Sequence, residues 1–201
     1  MTNITNLRPG EHFMFKNFEW VCLDQNHPDG GVLAIMAEPW AKEMSFCPDK
    51  SYADEKGNWN NYQTSNVRGI LTDMANAVFG GKGLLAHTVD LVADNGDRAY
   101  GTVHDFVFIL TCDEYRKYRD FIPRYKNWVW TATPWYCGDK DSDAGNASYV
   151  RDVNTGGQLN YSYACCSNAV APACILNPAA LNLRQIIAIV EERKEKENAT
   201  D

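Results

Sequence analysis

The sequence predicts an α+β fold in which two helices pack on short, mostly antiparallel strands. Two observations indicate this class: two early helical patterns lie among many short strand patterns, and the second half is rich in turn-forming residues. A doubly wound α/β sheet would instead alternate strands and helices along the chain. At 201 residues, the chain is expected to form one domain over residues 1–178, followed by a C-terminal helix and charged tail over residues 179–201.

The first forty residues are predicted to form strands and a hairpin. Aromatic and β-branched residues are concentrated at His12–Phe15 and at 20–23, which is typical of strands. Turn-forming residues occupy 25–31, and Val32–Met36 returns as another strand.

A helix is predicted over residues 67–78, where apolar residues recur on a single helical face. Residues 64–66 offer an N-cap, and Gly80 and Gly81 end the helix. The apolar positions are Val67, Ile70, Leu71, Met74, Ala75 and Val78.

A second, shorter helix is predicted after an apolar strand at 106–110. Thr111 and Glu114 have the spacing of a capping box, and Pro123 must end the helix. In the tail, Leu183, Ile186, Ile187 and Val190 share one face. This pattern predicts a helix over 179–196, whose apolar stripe packs on the domain or on another subunit.

Charge and composition exclude several classes of partner. The net charge is −7, whereas nucleic-acid binding needs clustered Lys and Arg. No apolar run approaches the roughly 20 residues of a membrane span, and the N-terminus lacks a secretory signal pattern. Seven cysteines without CxxC spacing indicate mostly reduced thiols in a protein made in the cytosol.

The stretch 128–176 is the strongest functional signal, because its middle is dense in Tyr, Asn, Ser, Gly and Cys. This is the composition of an antibody paratope, whereas a catalytic pocket shows convergent acids, bases or metal ligands. We therefore predict a recognition surface and no catalytic residues. The candidate ligand-binding residues are Trp135, Tyr136, Tyr149, Arg151, Asn154, Asn160, Tyr161, Tyr163, Ser167 and Asn168.

Motifs in a distinctive order resemble a known family over residues 9–177. They are Pro9-Gly10, residues 20–24, residues 61–68 before the first helix, residues 105–111 with Glu114, Trp128-Val-Trp130 and Val170-Ala-Pro172. In this order they resemble the uncharacterised C-type-lectin-fold domains of bacteria and their phages. Those domains are related to the ligand-binding domains of phage tropism determinants and are similar in fold to formylglycine-generating enzymes.

The chain departs from the family pattern at two places. Family members commonly have a double Trp and Leu-Arg-Ser-Pro where this chain has residues 128–134, and Gly-Val-Arg-Pro where it has residues 169–172. The missing arginines put in doubt any salt bridge that the family forms there.

Some relatives are variable proteins of diversity-generating retroelements, in which adenine-directed mutagenesis randomises codons near the C-terminus. The resemblance implies that residues 149–168 form such a variable surface. It further implies a non-enzymatic protein that recognises a protein or glycan on a host or neighbouring cell, such as a virion-associated, receptor-binding tail component of a phage. Two alternatives remain open: an enzyme of the formylglycine-generating type, and an intracellular interaction protein.

Metal and cofactor signals in the sequence are weak. Residues 139–145 alternate carboxylates as a calcium loop does, but the glycine is one place late and Val150 stands at the twelfth position. An acidic, solvated loop is therefore favoured, and no cofactor is expected. The four histidines are scattered without ligand spacing. His104 beside Asp105 and the adjacent Cys165 and Cys166 are the remaining candidates for catalysis.

Overall fold

A computed structural model describes residues 6–80, 83–138 and 146–180. It confirms the α+β class. The acidic loop at 139–145 lies outside the described residues, as does the predicted C-terminal helix except for residues 179 and 180. In chain order the strands are β1 (His12–Phe15), β2 (Phe18–Asp24), β3 (Val32–Met36), β4 (Ala41–Ser45), β5 (Leu84–Leu85), β6 (His87–Asp90), β7 (Thr102–Asp105), β8 (Val107–Phe108), β9 (Val129–Pro134), β10 (Tyr149–Val153), β11 (Leu159–Tyr163), β12 (Ser167–Val170) and β13 (Ala173–Leu176).

The first sheet joins the beginning of the chain to its far end. Its order is β1-β2-β3-β13-β5, and β8 also pairs with β13. Every pairing in it is antiparallel. The predicted strands at 12–15, 20–23 and 32–36 are confirmed. The tight turn between β1 and β2 was not predicted; there Lys16 and Asn17 adopt positive φ angles of 54° and 67°, as a two-residue hairpin turn requires.

The second sheet has the order β11-β10-β9-β12-β4. Its pairings are antiparallel except for the parallel contact of β12 with β9. Strands β6 and β7 form a separate antiparallel pair. The sequence predicted one strand over 106–110, but only Val107–Phe108 is a strand, because the chain has already paired through β7 and bends at Phe106.

Two α-helices occupy the predicted positions. Helix α1 (Asn66–Met74) begins at the N-cap Ser65, whose side chain accepts a hydrogen bond from the Arg68 N–H. It continues as a π-helical turn over Ala75–Phe79 and ends at Gly80, with φ of 56°. Helix α2 (Cys112–Tyr118) begins with the predicted capping box, complete in both directions. No helix in the described part of the chain is long and apolar enough to cross a membrane.

The core contains large aromatic side chains, among them Trp20 of β2, Trp130 of β9 and Phe46, which follows β4. The indole N–H of Trp130 donates to the Met44 carbonyl at 2.7 Å, which satisfies its polar atom. Trp128, two residues before Trp130, is 38% exposed. It precedes β9, so the strand geometry that would align the two side chains begins only after it.

An ion pair joins α1 to β7. The Arg68 guanidinium donates from Nε and Nη2 to the two Asp105 carboxylate oxygens, each at 2.9 Å. Asp105 is buried, while the Arg68 side chain is partly exposed. A bidentate ion pair of this kind is stronger than an ordinary surface ion pair.

We expect Asp105→Ala to lower the free energy of unfolding by about 2–3 kcal/mol, because it leaves the partly buried Arg68 guanidinium without its carboxylate partner. Urea denaturation followed by circular dichroism measures this loss. Asp90→Ala is the matched control, because Asp90 pairs with Arg98 at the surface and its loss should cost less than about 1 kcal/mol. Equal losses in the two variants would contradict the assignment.

Candidate functional site

The hairpin of β10 and β11 displays its aromatic side chains on one side. Tyr149 pairs with Tyr163 and Arg151 with Tyr161 in the strand register. Because successive strand residues point to opposite faces, these four side chains share one face. Val150 and Asp152 point to the other face and are fully buried.

Four aromatic rings touch in a continuous group that we call the aromatic face: Trp135, Tyr149, Tyr161 and Tyr163. Ring centroids lie 4.6 Å apart for Trp135 and Tyr161, 5.3 Å for Tyr149 and Tyr161, and 4.2 Å for Tyr149 and Tyr163. Tyr161 and Tyr163 are 45% and 50% exposed. The structure therefore brings together four of the predicted ligand-binding residues as one exposed patch.

Arg151 lies under this group. Its guanidinium carbon is 5.1 Å from the centre of the Trp135 ring, a cation–π contact. Its Nε is 3.5 Å from Asp94 Oδ1, and the side chain is only 12% exposed. Arg151 was expected to contact a ligand, but its guanidinium is largely covered and instead positions Trp135.

The tyrosines of the aromatic face offer hydroxyl groups as well as ring surface. The hydrogen bond with Tyr163 raises the pKa of Tyr149 to about 12. At neutral pH the Tyr149 phenol is therefore protonated and able to donate a hydrogen bond. The surface is suited to partners that combine apolar contact with hydrogen-bond acceptors.

A buried amide fixes the base of the hairpin. Asn60 Nδ2 donates to the carbonyl oxygens of Tyr136 and Tyr149, at 2.8 and 2.9 Å. Its Oδ1 accepts from the Tyr100 hydroxyl at 2.7 Å. The predicted site residue Tyr136 is half-buried, and its backbone is held by this network. Because Asn60 binds main-chain atoms, it positions the strands whatever side chains they carry.

The turn between β10 and β11 is held by hydrogen bonds within the turn and by side chains from elsewhere in the chain. Asn154 Oδ1 accepts from the N–H groups of Gly156 and Gln158, so this predicted ligand-binding side chain is used to close the turn. The Tyr115 hydroxyl donates to the Gly157 carbonyl and Arg124 donates to the Gly156 carbonyl. Gly157 has φ of 74°, a conformation that glycine adopts more readily than other residues.

A polar cleft of about 450 Å³ adjoins the aromatic face. Asp94 connects them through Arg151: it lines the cleft and lies 3.5 Å from Arg151 Nε, and Arg151 contacts the Trp135 ring. Charged and titratable side chains lining the cleft include His87, Asp90, Asp94, Arg98, Asp113 and Arg116. A partner bound on the tyrosines thus has charged groups of both signs beside it.

The sequence missed a buried carboxylate beneath the hairpin. Asp152 is fully buried, and its Oδ2 accepts from Ser162 Oγ at 2.6 Å and from Asn168 Nδ2 at 2.9 Å. Asp152 Oδ1 is buried without a hydrogen-bond partner in the described structure. Burial raises the pKa of Asp152, against the lowering effect of Ser162 and Asn168.

Two predicted contact residues therefore belong to the other side of the hairpin. Asn168 is buried and donates to Asp152, so its side chain is not displayed to a partner. Asn160 is half-buried and stands opposite Asp152 in the register, on the face away from Tyr161. Composition marked both residues, but it carries no information about which face of a strand a residue occupies.

The turn after β11 is a separate exposed edge. Ser167 is exposed, and its Oγ lies 3.5 Å from Ser45 Oγ. Cys165 and Cys166 are free and exposed in the same turn. This open position differs from the enclosed, convergent thiols that the enzyme alternative requires.

The histidines are arranged differently from the sequence expectation. His104 Nδ1 pairs with the Thr88 hydroxyl at 3.0 Å, while the neighbouring Asp105 binds Arg68, so these two residues do not form a catalytic pair. His27 and His87 were expected to be unrelated, yet their ring centroids are 5.4 Å apart. Spacing along the chain gave no signal, because 59 residues lie between His27 and His87.

We expect Asp152→Asn to remove a destabilisation of the folded state that increases with pH. Since the folded-state pKa of Asp152 is raised, its contribution to stability is complete below the unfolded pKa of about 4 and is lost as pH rises through the folded value. The melting temperature of the variant minus that of the parent should therefore increase between about pH 4 and pH 7. Thermal denaturation at several pH values measures the difference, and a constant difference would argue against a raised pKa.

Comparison of the chain with protein-family models, curated proteins and solved structures found no match in any of the three. The arrangement of the side chains described above is thus the basis for a functional conclusion.

Proposed function

We propose that this chain is a non-enzymatic ligand-binding protein whose aromatic face recognises a protein or glycan partner. The observation that carries the proposal is the exposure of Tyr161 and Tyr163 in contact with Tyr149 and Trp135. Contiguous exposed aromatic groups with a polar border are typical of interaction sites. The polar cleft at Asp94 supplies such a border.

The rigidity of the hairpin supports recognition. Tyrosine offers a large contact area with only two side-chain torsions to order, and here the rings already support one another. The main-chain bonds from Asn60, Tyr115 and Arg124 hold the strand and turn in place. Binding to a preformed surface costs less conformational entropy than ordering a loop.

We also propose a C-type-lectin-like fold and the role of a variable protein of a diversity-generating retroelement. The order of the sequence motifs supports the family, and the α+β architecture is compatible with it. The division of the hairpin supports variability: side chains at 149, 161 and 163 point outward, whereas the bonds from Asn60, Tyr115 and Arg124 are made to main-chain carbonyls. Outward positions on a rigid scaffold can change without collapse of the core.

The partner is proposed to lie on a host or neighbouring cell, as for a receptor-binding component of a phage tail. Fluorescently labelled protein, applied to intact bacteria and to a glycan array, tests this location. An alternative partner inside the host would be captured from lysate but would leave intact cells unlabelled.

We expect Tyr161→Ala combined with Tyr163→Ala to weaken binding to the labelled cells or glycans at least about thirty-fold, because exposed aromatic anchors commonly contribute about 2 kcal/mol or more. The melting temperature should change by less than about 2 °C, since Tyr161 and Tyr163 are 45% and 50% exposed.

Phe106→Ala is the control, because Phe106 is 43% exposed outside the aromatic face; binding should be retained. Loss of stability by more than about 1 kcal/mol in the double tyrosine variant would show that the rings are structural. Unchanged binding would exclude the aromatic face as the recognition surface.

The retroelement assignment has a separate test in the genome. We expect a near-copy of the coding segment for residues 128–176, differing mainly at adenines, beside a reverse transcriptase gene. Sequencing of the source genome decides this point, and a locus without such a copy contradicts diversification while leaving ligand binding open to the test above.

A further inference from the structure

Four side chains from distant parts of the chain meet beside β6. His27 and Asp29 lie in the turn between β2 and β3, His87 is the first residue of β6, and Glu114 is in the first turn of α2. Both histidines are at most 9% exposed, and Asp29 is more accessible. The fold therefore brings together imidazole nitrogens and carboxylate oxygens in a cluster that no sequence motif predicts.

Three of these residues converge closely enough to share one ion. One potential ligand atom from each of His27, Asp29 and His87 lies within 4.8 Å of the others. Asp29 Oδ2 is 2.7 Å from His87 Nδ1 and 3.5 Å from His27 Nδ1. With metal–ligand bonds of about 2.0–2.1 Å, tetrahedral ligand atoms lie roughly 3.3 Å apart, and the two distances from Asp29 Oδ2 to the histidine nitrogens lie on either side of this spacing.

The outer contacts of His87 match those of metal-ligating histidines. Its Nε2 is 2.8 Å from Glu114 Oε1, and a ligating imidazole usually donates its second N–H to a carboxylate in this way. Glu114 Oε2 is itself fixed by the N–H and hydroxyl of Thr111, at 2.8 and 2.9 Å. The His87 ring also packs against Phe108, with centroids 4.3 Å apart. These contacts fix the orientation of the His87 ring before any ion binds.

We propose that His27, Asp29 and His87 form a binding site for a divalent transition-metal ion of the Zn²⁺ class, with Glu114 as a positioning residue. Two imidazoles and one carboxylate are a ligand set that suits Zn²⁺ and its first-row neighbours. The ion takes the place of the proton between Asp29 Oδ2 and His87 Nδ1, and water completes the coordination. His87 and Glu114 also line the polar cleft beside the aromatic face, but no residue of the aromatic face is among the three ligands.

The test uses the full chain, freed of metal with a chelator and titrated with Zn²⁺ by calorimetry, and with Co²⁺ by visible absorption. We expect one ion per chain and a cobalt spectrum of nitrogen and oxygen ligation without a thiolate band. His27→Asn and Asp29→Asn should each weaken Zn²⁺ binding at least about tenfold. Glu114→Gln should weaken it by about 10- to 100-fold, while keeping the capping box, which accepts Gln as well as Glu.

Two controls separate this site from other Zn²⁺ ligands. His12→Asn changes a histidine that also pairs with a carboxylate, Glu19, at 2.8 Å, and should leave the affinity unchanged. Cys165→Ser with Cys166→Ser removes the exposed thiols and should also leave it unchanged. Circular dichroism verifies folding, and Asp29→Asn, in a partly exposed turn, serves if the buried histidine variant unfolds. Absence of stoichiometric binding, equal weakening by His12→Asn, or loss of the ion with the two cysteines would overturn the proposal.

Discussion

Antiparallel pairing of β10 with β11 is the constraint on which the candidate surface depends. It sends Tyr149, Tyr161 and Tyr163 outward and Asp152 inward from the same short hairpin. A slip of one residue would exchange the two faces and bury the tyrosines. Several contacts prevent that slip, among them the bonds from Ser162 and Asn168 to Asp152 and the closure of the turn by Asn154. The polar residues of the segment therefore maintain the register that displays its aromatic ones.

Local sequence signals predicted local structure well. The capping box at Thr111 and Glu114, the N-cap at Ser65 and the apolar strands of the N-terminal region are where the sequence places them, because each depends on residues a few positions apart. Strand limits were less predictable. Residues 106–110 are apolar throughout, yet only Val107–Phe108 finds a partner strand. Pairing partners are decided by the whole fold, so apolar character alone overestimates strand length.

The candidate site was predictable by composition and not by geometry. The density of Tyr and Asn located the hairpin, but it could not distinguish the exposed Tyr161 from the buried Asn168. Arg151 looked like a ligand contact, whereas the structure uses it to support Trp135. Asp152 gave no signal, since a single Asp in a polar segment looks solvated. The cluster of His27, Asp29, His87 and Glu114 was beyond sequence reasoning, because three separate elements must fold before its members meet.

The position of β13 has a consequence for how the molecule is made. This strand, near the end of the described chain, lies in the first sheet between β3 and β5 and also pairs with β8. Contacts this distant along the chain close late and slowly. The ribosome must therefore synthesise the chain up to residue 176 before β13 can pair with β3. Until then the apolar edge of β3 is unpaired and can pair with other chains. During synthesis the edge of β3 is therefore open to aggregation until β13 pairs with it. A chain truncated before β13 would keep that edge unpaired.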